Sequence, residues 1–191
     1  MKTVAVLVGS LGKDSANMRF ARALEHLARG RLRFDYLDIG SLPHYDDSLW
    51  QNPPASVLTL KAQIEAADAA LFVTPEFNRS IPGVLKNAID WASRPWSRSS
   101  WIGKPASITG TTPGTIGTAV AQSHLRSILP GQEMVVLGQP EVYFQSKPGL
   151  IDENFEITDE ATRAFLAGYI DKFVAWIERH GQAEAVAVAA E

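Results

Sequence analysis

The chain has no cysteine, little net charge and no long apolar run. Without cysteine, the sequence excludes disulfides, thiolate catalysis and thiolate-bound metal. A net charge of −3 gives no general electrostatic basis for binding nucleic acid or an anionic membrane. No apolar segment approaches the roughly 18 residues of a membrane span, and the short run near the N-terminus lacks a convincing signal-peptide cleavage site. We therefore expect a cytoplasmic protein that binds neither membrane nor nucleic acid.

Histidines are also few, and their positions do not suggest a metal site. The four are scattered without the spacing of metal ligands: His26, His44, His124 and His180. No Ser–His–Asp pattern is visible either. We predict no metal and no side chain that acts as a nucleophile.

The apolar pattern alternates between strand and helix along 191 residues, a length that fits one domain. Short β-branched runs predict five strands, at 3–8, 32–39, 69–74, 105–108 and 134–137. Amphipathic runs predict five helices, at 17–28, 57–67, 83–91, 118–129 and 158–180. The final helix has its apolar stripe at three- and four-residue steps from Phe165 to Ile177. This order predicts an α/β fold with a parallel sheet and helices on both faces. We expect one domain over 1–181, irregular chain at 109–117 and 141–155, and a frayed tail at 182–191.

The loop after the first strand, Gly9 to Asn17, has the chemistry of an anion site. Hydroxyl and amide donors stand before a helix N-terminus, which attracts negative charge: Ser10, Ser15 and Asn17, with Lys13 adding positive charge. The spacing is neither G-x-G-x-x-G nor that of a Walker A loop. The alternative is a helix cap without any ligand.

Two further loops follow the third and fourth strands. In residues 74–83, two prolines stiffen the chain and Phe77 offers a flat face to a planar ring, or else fills the core. Glu76 has no visible catalytic partner, so we expect it to orient the loop or bind a hydroxyl. Residues 109–117 are threonines and glycines that offer hydrogen bonds and close backbone approach, or form a simple turn. In a parallel sheet these loops meet the first at the carboxyl edge.

Three motifs, GSLxxxSxN, TPEFNxSIPGVLKNAIDW and the Thr/Gly loop, resemble the NADPH-dependent FMN reductase family. The resemblance implies a flavodoxin-like three-layer sandwich with strand order 2-1-3-4-5. It also implies bound FMN, NADPH or NADH as co-substrate, and a homodimer or homotetramer. The electron acceptor would be a quinone, an azo compound, a free flavin or chromate. FMN would carry the chemistry, so no catalytic side chain is expected.

The resemblance also implies which residues bind FMN. In the phosphate loop these are Ser10, Ser15 and Asn17, with Lys13 beside them. The loop facing the ring contributes Pro75, Glu76, Phe77, Asn78 and Ser80, and the third loop contributes Thr111, Thr112, Pro113, Gly114 and Gly117. Two positions depart from the family: Gly12 replaces a common arginine, and Phe77 replaces a common tyrosine.

Two other functions fit the same motifs. One is a flavodoxin-type electron carrier without NAD(P)H turnover, and the other is a flavin-responsive interaction module that uses residues 94–101. We expect Trp91 in the core, and Trp96 and Trp101 at a subunit interface. Residues 40–50 and 96–101, the latter from this or another subunit, are candidates for selecting the acceptor.

Overall fold

Strands and helices alternate in the computed structural model, which describes residues 1–181. The strands are β1 (Lys2–Val8), β2 (Leu32–Tyr36), β3 (Ala69–Val73), β4 (Pro105–Thr112), β5 (Val135–Val136) and β6 (Val142–Gln145). The helices are α1 (Ala16–Leu27), α2 (Ala55–Ala66), α3 (Gly83–Ala92), α4 (Ala119–Ile128) and α5 (Glu160–His180). Short 3-10 helices form at Asp47–Gln51 and Pro130–Gln132. The predicted frayed tail lies outside the described residues.

The sheet has the order β2-β1-β3-β4-β5, and all its strand pairs are parallel. This confirms the predicted order 2-1-3-4-5. A sixth strand, β6, also pairs with β4. Thr109 pairs with Val73 on one side and Val142 on the other. Both β5 and β6 lie on the side of β4 that faces away from β3. The strand β5 pairs with the first residues of β4 and β6 pairs with its last residues, so these two short strands together form the fifth strand position of the sheet.

Two predicted loops are therefore partly wrong. Residues 109–112 belong to β4, and residues 142–145 form β6. Threonine is β-branched and suits a strand. Gly110 fits there because a Cβ at this position would lie 2.0 Å from the carbonyl oxygen of Thr74. A segment rich in threonine and glycine, which predicts a loop, therefore also suits a buried strand that is closely packed by its neighbours.

Side chains of the sheet alternate between two cores. In β1, Val4 and Val6 pack towards α1 and α5, whereas Ala5 and Leu7 pack on the other face. That other face is covered by α2, α3 and α4. Because strands buried on both faces need no polar side, β1 and β3 read as continuous apolar runs.

The stripe of α5 is only partly as predicted. Tyr169, Phe173 and Ile177 are fully buried, but Phe165 is 51% exposed and its neighbour Leu166 enters the core. No helix within residues 1–181 is both long and apolar enough to cross a membrane.

Two of the three tryptophan predictions can be judged from the single chain. Trp91 is fully buried, as predicted. The prediction for Trp101 is wrong, because this side chain is also fully buried and its Nε1 donates to the carbonyl oxygen of Ile89 at 3.1 Å. Trp96 is 81% exposed, so its place at an interface stays a prediction. Residues 96–101 precede β4 and lie at the edge opposite its carboxyl end, so they cannot line a cleft there in their own chain.

Candidate functional site

One cleft of about 510 Å³ lies where the carboxyl ends of β1, β3 and β4 meet. All three predicted loops contribute to its wall. The lining residues are Ser10, Gly12, Lys13, Asp14, Ser15, Ala16, Asn17, Pro75, Glu76, Phe77, Thr111, Thr112 and Pro113. The convergence expected from the strand order is therefore present. Three lining residues, Gly12, Asp14 and Ala16, are not among the predicted FMN-binding residues, although all lie inside the stretch that predicts the anion site.

The first loop ends at the N-terminus of α1, where Ser15 is the cap residue. Its Oγ accepts a hydrogen bond from the backbone N–H of Met18 at 3.1 Å, which leaves the hydroxyl proton for another acceptor. The backbone N–H groups of residues 10–14 donate to no acceptor in the described chain. Free amides, a hydroxyl and the positive end of a helix dipole are the groups from which proteins build anion sites.

Asn17 contributes to this site indirectly. Its side-chain nitrogen donates to the carbonyl oxygen of Thr111 at 3.0 Å, and its oxygen accepts from the Thr111 backbone N–H at 2.9 Å. The side chain is 4% exposed. Asn17 therefore joins the first loop to β4, and one amide proton is left for a ligand.

The second loop projects as a tight turn beside the cleft. Phe77 and Ser80 exchange backbone hydrogen bonds of 2.9 and 3.0 Å around Asn78 and Arg79, which both have positive φ. Positive φ at both central residues is typical of a type I′ turn, which holds its flanks rigidly. Phe77 is 53% exposed and lines the cleft, so it presents an apolar ring face there.

Glu76 ties this loop to α4. Its Oε2 accepts from the backbone N–H groups of Val120 and Ala121 at 3.0 and 3.2 Å. Thr118, the cap residue of α4, makes no side-chain capping bond, so Glu76 supplies the cap from outside the helix. The carboxylate is mostly buried, and its Oε1 lies 4.0 Å from Arg79 Nη1, as expected for a group that orients the loop.

Four predicted site residues do not line the cleft: Asn78, Ser80, Gly114 and Gly117. Ser80 Oγ lies 3.0 Å from His124 Nδ1 on α4. Gly117 has φ of +59°, and a Cβ there would lie 2.4 Å from the carbonyl carbon of Tyr143. These contacts give Ser80 and Gly117 positioning roles around the cleft.

The chemistry of the cleft fits a flavin mononucleotide. One end supplies donors for a phosphate, and the other supplies the face of Phe77. Thr111 is 2% exposed, and its Oγ has no hydrogen-bond partner in the described chain. A buried hydroxyl without a partner is uncommon, and a polar ring edge would satisfy it. Fold and cleft together define a flavodoxin-like, flavin-binding domain.

The chain belongs to the NADPH-dependent FMN reductase family, which residues 1–149 match. It is 49% identical to a 2-hydroxy-1,4-benzoquinone reductase of a Burkholderia species, over 91% of this chain and 95% of that protein. A Pseudomonas putida quinone reductase is 42% identical, over 92% and 95%. Among solved structures, the flavoenzyme FerB, an NAD(P)H:(acceptor) oxidoreductase from Paracoccus denitrificans, is 52% identical with a TM-score of 0.93, over 94% of this chain and 99% of that chain. The family resemblance is thereby confirmed.

Proposed function

We propose that this protein is an FMN-dependent NAD(P)H oxidoreductase that reduces quinones. The observation that carries the proposal is one cleft of about 510 Å³ that is lined both by the anion-binding loop and by the exposed ring of Phe77. The names of its relatives add the acceptor class, because two of them are quinone reductases. Bound FMN would take hydride from NAD(P)H and reduce the acceptor, so the protein's tasks are binding and orientation.

In this proposal the first loop holds the phosphate. Ser10 and Ser15 donate from their hydroxyls, and Lys13 adds a positive charge. Asp14 lies in the same wall and opposes an anion. Since Gly12 replaces the common arginine, we expect phosphate to be held mainly by hydrogen bonds.

The second and third loops hold the ring. Pro75 and Pro113 stiffen the backbone on the two sides of the cleft, and Phe77 covers a ring face. Thr111 and Thr112 offer hydroxyls to a polar ring edge, including the Oγ of Thr111 that lacks a partner in the described chain. Co-substrate and acceptor would approach the ring face that Phe77 does not cover, one after the other.

We further propose a homodimer or homotetramer that works in the cytoplasm, where NAD(P)H is supplied. Several large apolar side chains at the cleft margin are about half exposed, among them Leu11, Phe77 and Ile116. A second copy would cover such a surface, since exposed apolar patches favour subunit contacts. Trp96, at the far edge of the sheet, is a further candidate contact.

The test is oxidation of NADPH by the FMN-loaded protein with a benzoquinone. We expect turnover well above that of free FMN at equal concentration. The double variant Ser15→Ala, Thr111→Val should need at least about tenfold more FMN for half-maximal rate, because it removes two hydroxyl contacts. A protein that binds FMN but turns over no faster than free FMN would be an electron carrier instead.

A further inference from the structure

A second cavity, of about 270 Å³, lies beside the cleft. We call it the side pocket. It is bounded by Ala16 and Arg19 of α1, by Thr111 of β4, by Phe144 of β6 and by residues 146–151, which follow β6. Ala16 and Thr111 also line the cleft, so the two spaces share a wall. Of the residues assigned to the FMN ring, the side pocket contains only Thr111, whereas Arg19, Ser146 and Lys147 have no assigned role in FMN binding.

Two cations stand at the side pocket, Arg19 and Lys147, and neither forms a salt bridge within residues 1–181. Arg19 Nη1 donates to the carbonyl oxygen of Asp152 at 3.1 Å, which fixes the guanidinium against the segment that closes the pocket. A guanidinium has five donors, so the others stay available.

The carboxylates near these cations are engaged elsewhere. Asp152 Oδ1 accepts from the backbone N–H groups of Asn154 and Glu156 at 2.9 and 2.8 Å. Asp159 caps α5, accepting from Thr162; these bonds, and to a smaller extent the charge of Lys147, lower the pKa of Asp159, but the two side chains form no salt bridge within residues 1–181. The positive charge at the side pocket is therefore not neutralised by direct pairing.

A hydroxyl group completes the wall, because Ser146 lines the same pocket. Thr111 forms the wall shared with the cleft, and its hydroxyl is assigned to the FMN ring. Two cations with an adjacent hydroxyl donor are the chemistry that recognises phosphate oxygens. Phe144 and Leu150 add apolar surface that lowers the local dielectric constant and strengthens such contacts.

We infer that the side pocket binds a phosphomonoester group through Arg19 and Lys147, with Ser146 donating a hydrogen bond. Two sources share this chemistry: the 2′-phosphate of NADPH, which would arrive along the shared wall, and free inorganic phosphate. The first source rests on the proposed function, and the second does not. For the first source, Arg19 and Lys147 would favour NADPH over NADH.

The test is a calorimetric titration of FMN-saturated protein with 2′-AMP and, separately, with inorganic phosphate. Saturation with FMN fills the phosphate loop, so that loop cannot account for the heat. We expect binding by the wild type, and at least about tenfold weaker binding by the double variant Arg19→Gln, Lys147→Gln, since two charge-assisted contacts are lost. The affinity for FMN should not change.

A matched control removes the same charge elsewhere. Lys172 and Arg179 lie exposed on α5, outside both the cleft and the side pocket. The double variant Lys172→Gln, Arg179→Gln should bind like the wild type. If it loses as much affinity as the side-pocket variant, only net charge matters and the inference is overturned.

The ligands distinguish the two sources. Binding of 2′-AMP alone, with about a tenfold fall in the NADPH-to-NADH ratio of kcat/KM in the side-pocket variant, assigns the 2′-phosphate. Equal binding of inorganic phosphate, with an unchanged ratio, assigns the free ion. No binding of either ligand, or equal binding by wild type and side-pocket variant, overturns the inference.

Failure of the proposed function would show differently, as absent NADPH oxidation with phosphate binding intact. If FMN does not bind, the same titrations can be done without FMN. The phosphate loop is identical in the wild type and in both double variants, so a difference in ligand affinity between them still reports on the side pocket.

Discussion

The side chain of Asn17 forms two hydrogen bonds with the backbone of Thr111, 94 residues further along the chain. One end of the contact is the first turn of α1, and the other is the last part of β4. The walls of the cleft are therefore held at a fixed separation by a buried polar contact. The separation of these two walls therefore depends on the side chain of Asn17.

Removing this contact should destabilise the fold. Asn17→Ala leaves the N–H and carbonyl of buried Thr111 without partners, and each unsatisfied group costs about 1–3 kcal/mol. We expect the free energy of unfolding in urea to fall by about 2–4 kcal/mol. Asn154→Ala is the control, because Asn154 is exposed and its side chain makes no hydrogen bond in the described chain. An unchanged urea midpoint for Asn17→Ala would contradict the account of this contact.

Restoring the family's arginine at position 12 should tighten FMN binding. Gly12 lines the cleft, and no atom lies within 4 Å of the position of an added Cβ. A charge-assisted bond to phosphate is worth about 1.5 kcal/mol or more, so Gly12→Arg should lower the Kd of FMN about tenfold. Fluorescence titration measures this. Gly131→Arg, at an equally open site away from the cleft, should change nothing; weaker binding by Gly12→Arg would mean that residue 12 does not face phosphate.

Glu76 should prove to be a capping residue without a role as a base. Glu76→Ala removes both acceptor bonds to the N-terminus of α4 and should lower stability by about 1–2 kcal/mol. Glu76→Gln keeps an acceptor, so it should lose less. Loss of a general base costs 10²-fold or more in rate. A fall in kcat of that size in FMN-saturated Glu76→Gln, without loss of stability, would show that Glu76 acts in the chemistry.

Asp68 should contribute to the acid sensitivity of the fold. Partial burial opposes its charged form, but hydrogen bonds from the Thr3 backbone and Lys2 outweigh burial and hold the pKa of Asp68 below its ordinary 3.8. Its stabilisation is therefore complete above the unfolded value and is lost as pH falls from about 4 through the folded pKa. Urea midpoints measured from pH 6 to pH 2 should fall less steeply for Asp68→Asn than for the wild type. Parallel curves would contradict this assignment.

The strand order and the three loops were predictable because they depend on local patterns and on topology. Val4 to Val8 reads as a doubly buried strand from composition alone, and the carboxyl edge of a parallel sheet is a general site for ligands. The motifs of the resemblance fall in the same three loops. The position of the cleft therefore follows from the sequence.

Features that depend on distant partners could not be predicted. Ser97, Ser99 and Ser100 make the chain near Trp101 look exposed, but Lys61 of α2 donates to Ser100 Oγ at 2.7 Å and to nearby carbonyls. Ser100 is thereby satisfied, and Ser99 Oγ accepts from the backbone N–H of Trp101 at 3.3 Å, while the Trp101 ring enters the core. The capping role of Glu76 likewise depends on α4, and that of Asn17 depends on β4. No local signal in the sequence identifies such partners.

The absorbance spectrum of the freshly purified protein tests the central claim most directly. A cleft that joins three loops around FMN predicts a flavin spectrum, present at purification or after FMN is added and excess removed. Anaerobic NADPH should bleach it, and a benzoquinone should restore it. A protein that stays colourless after incubation with FMN, or whose flavin spectrum NADPH does not change, would contradict the account.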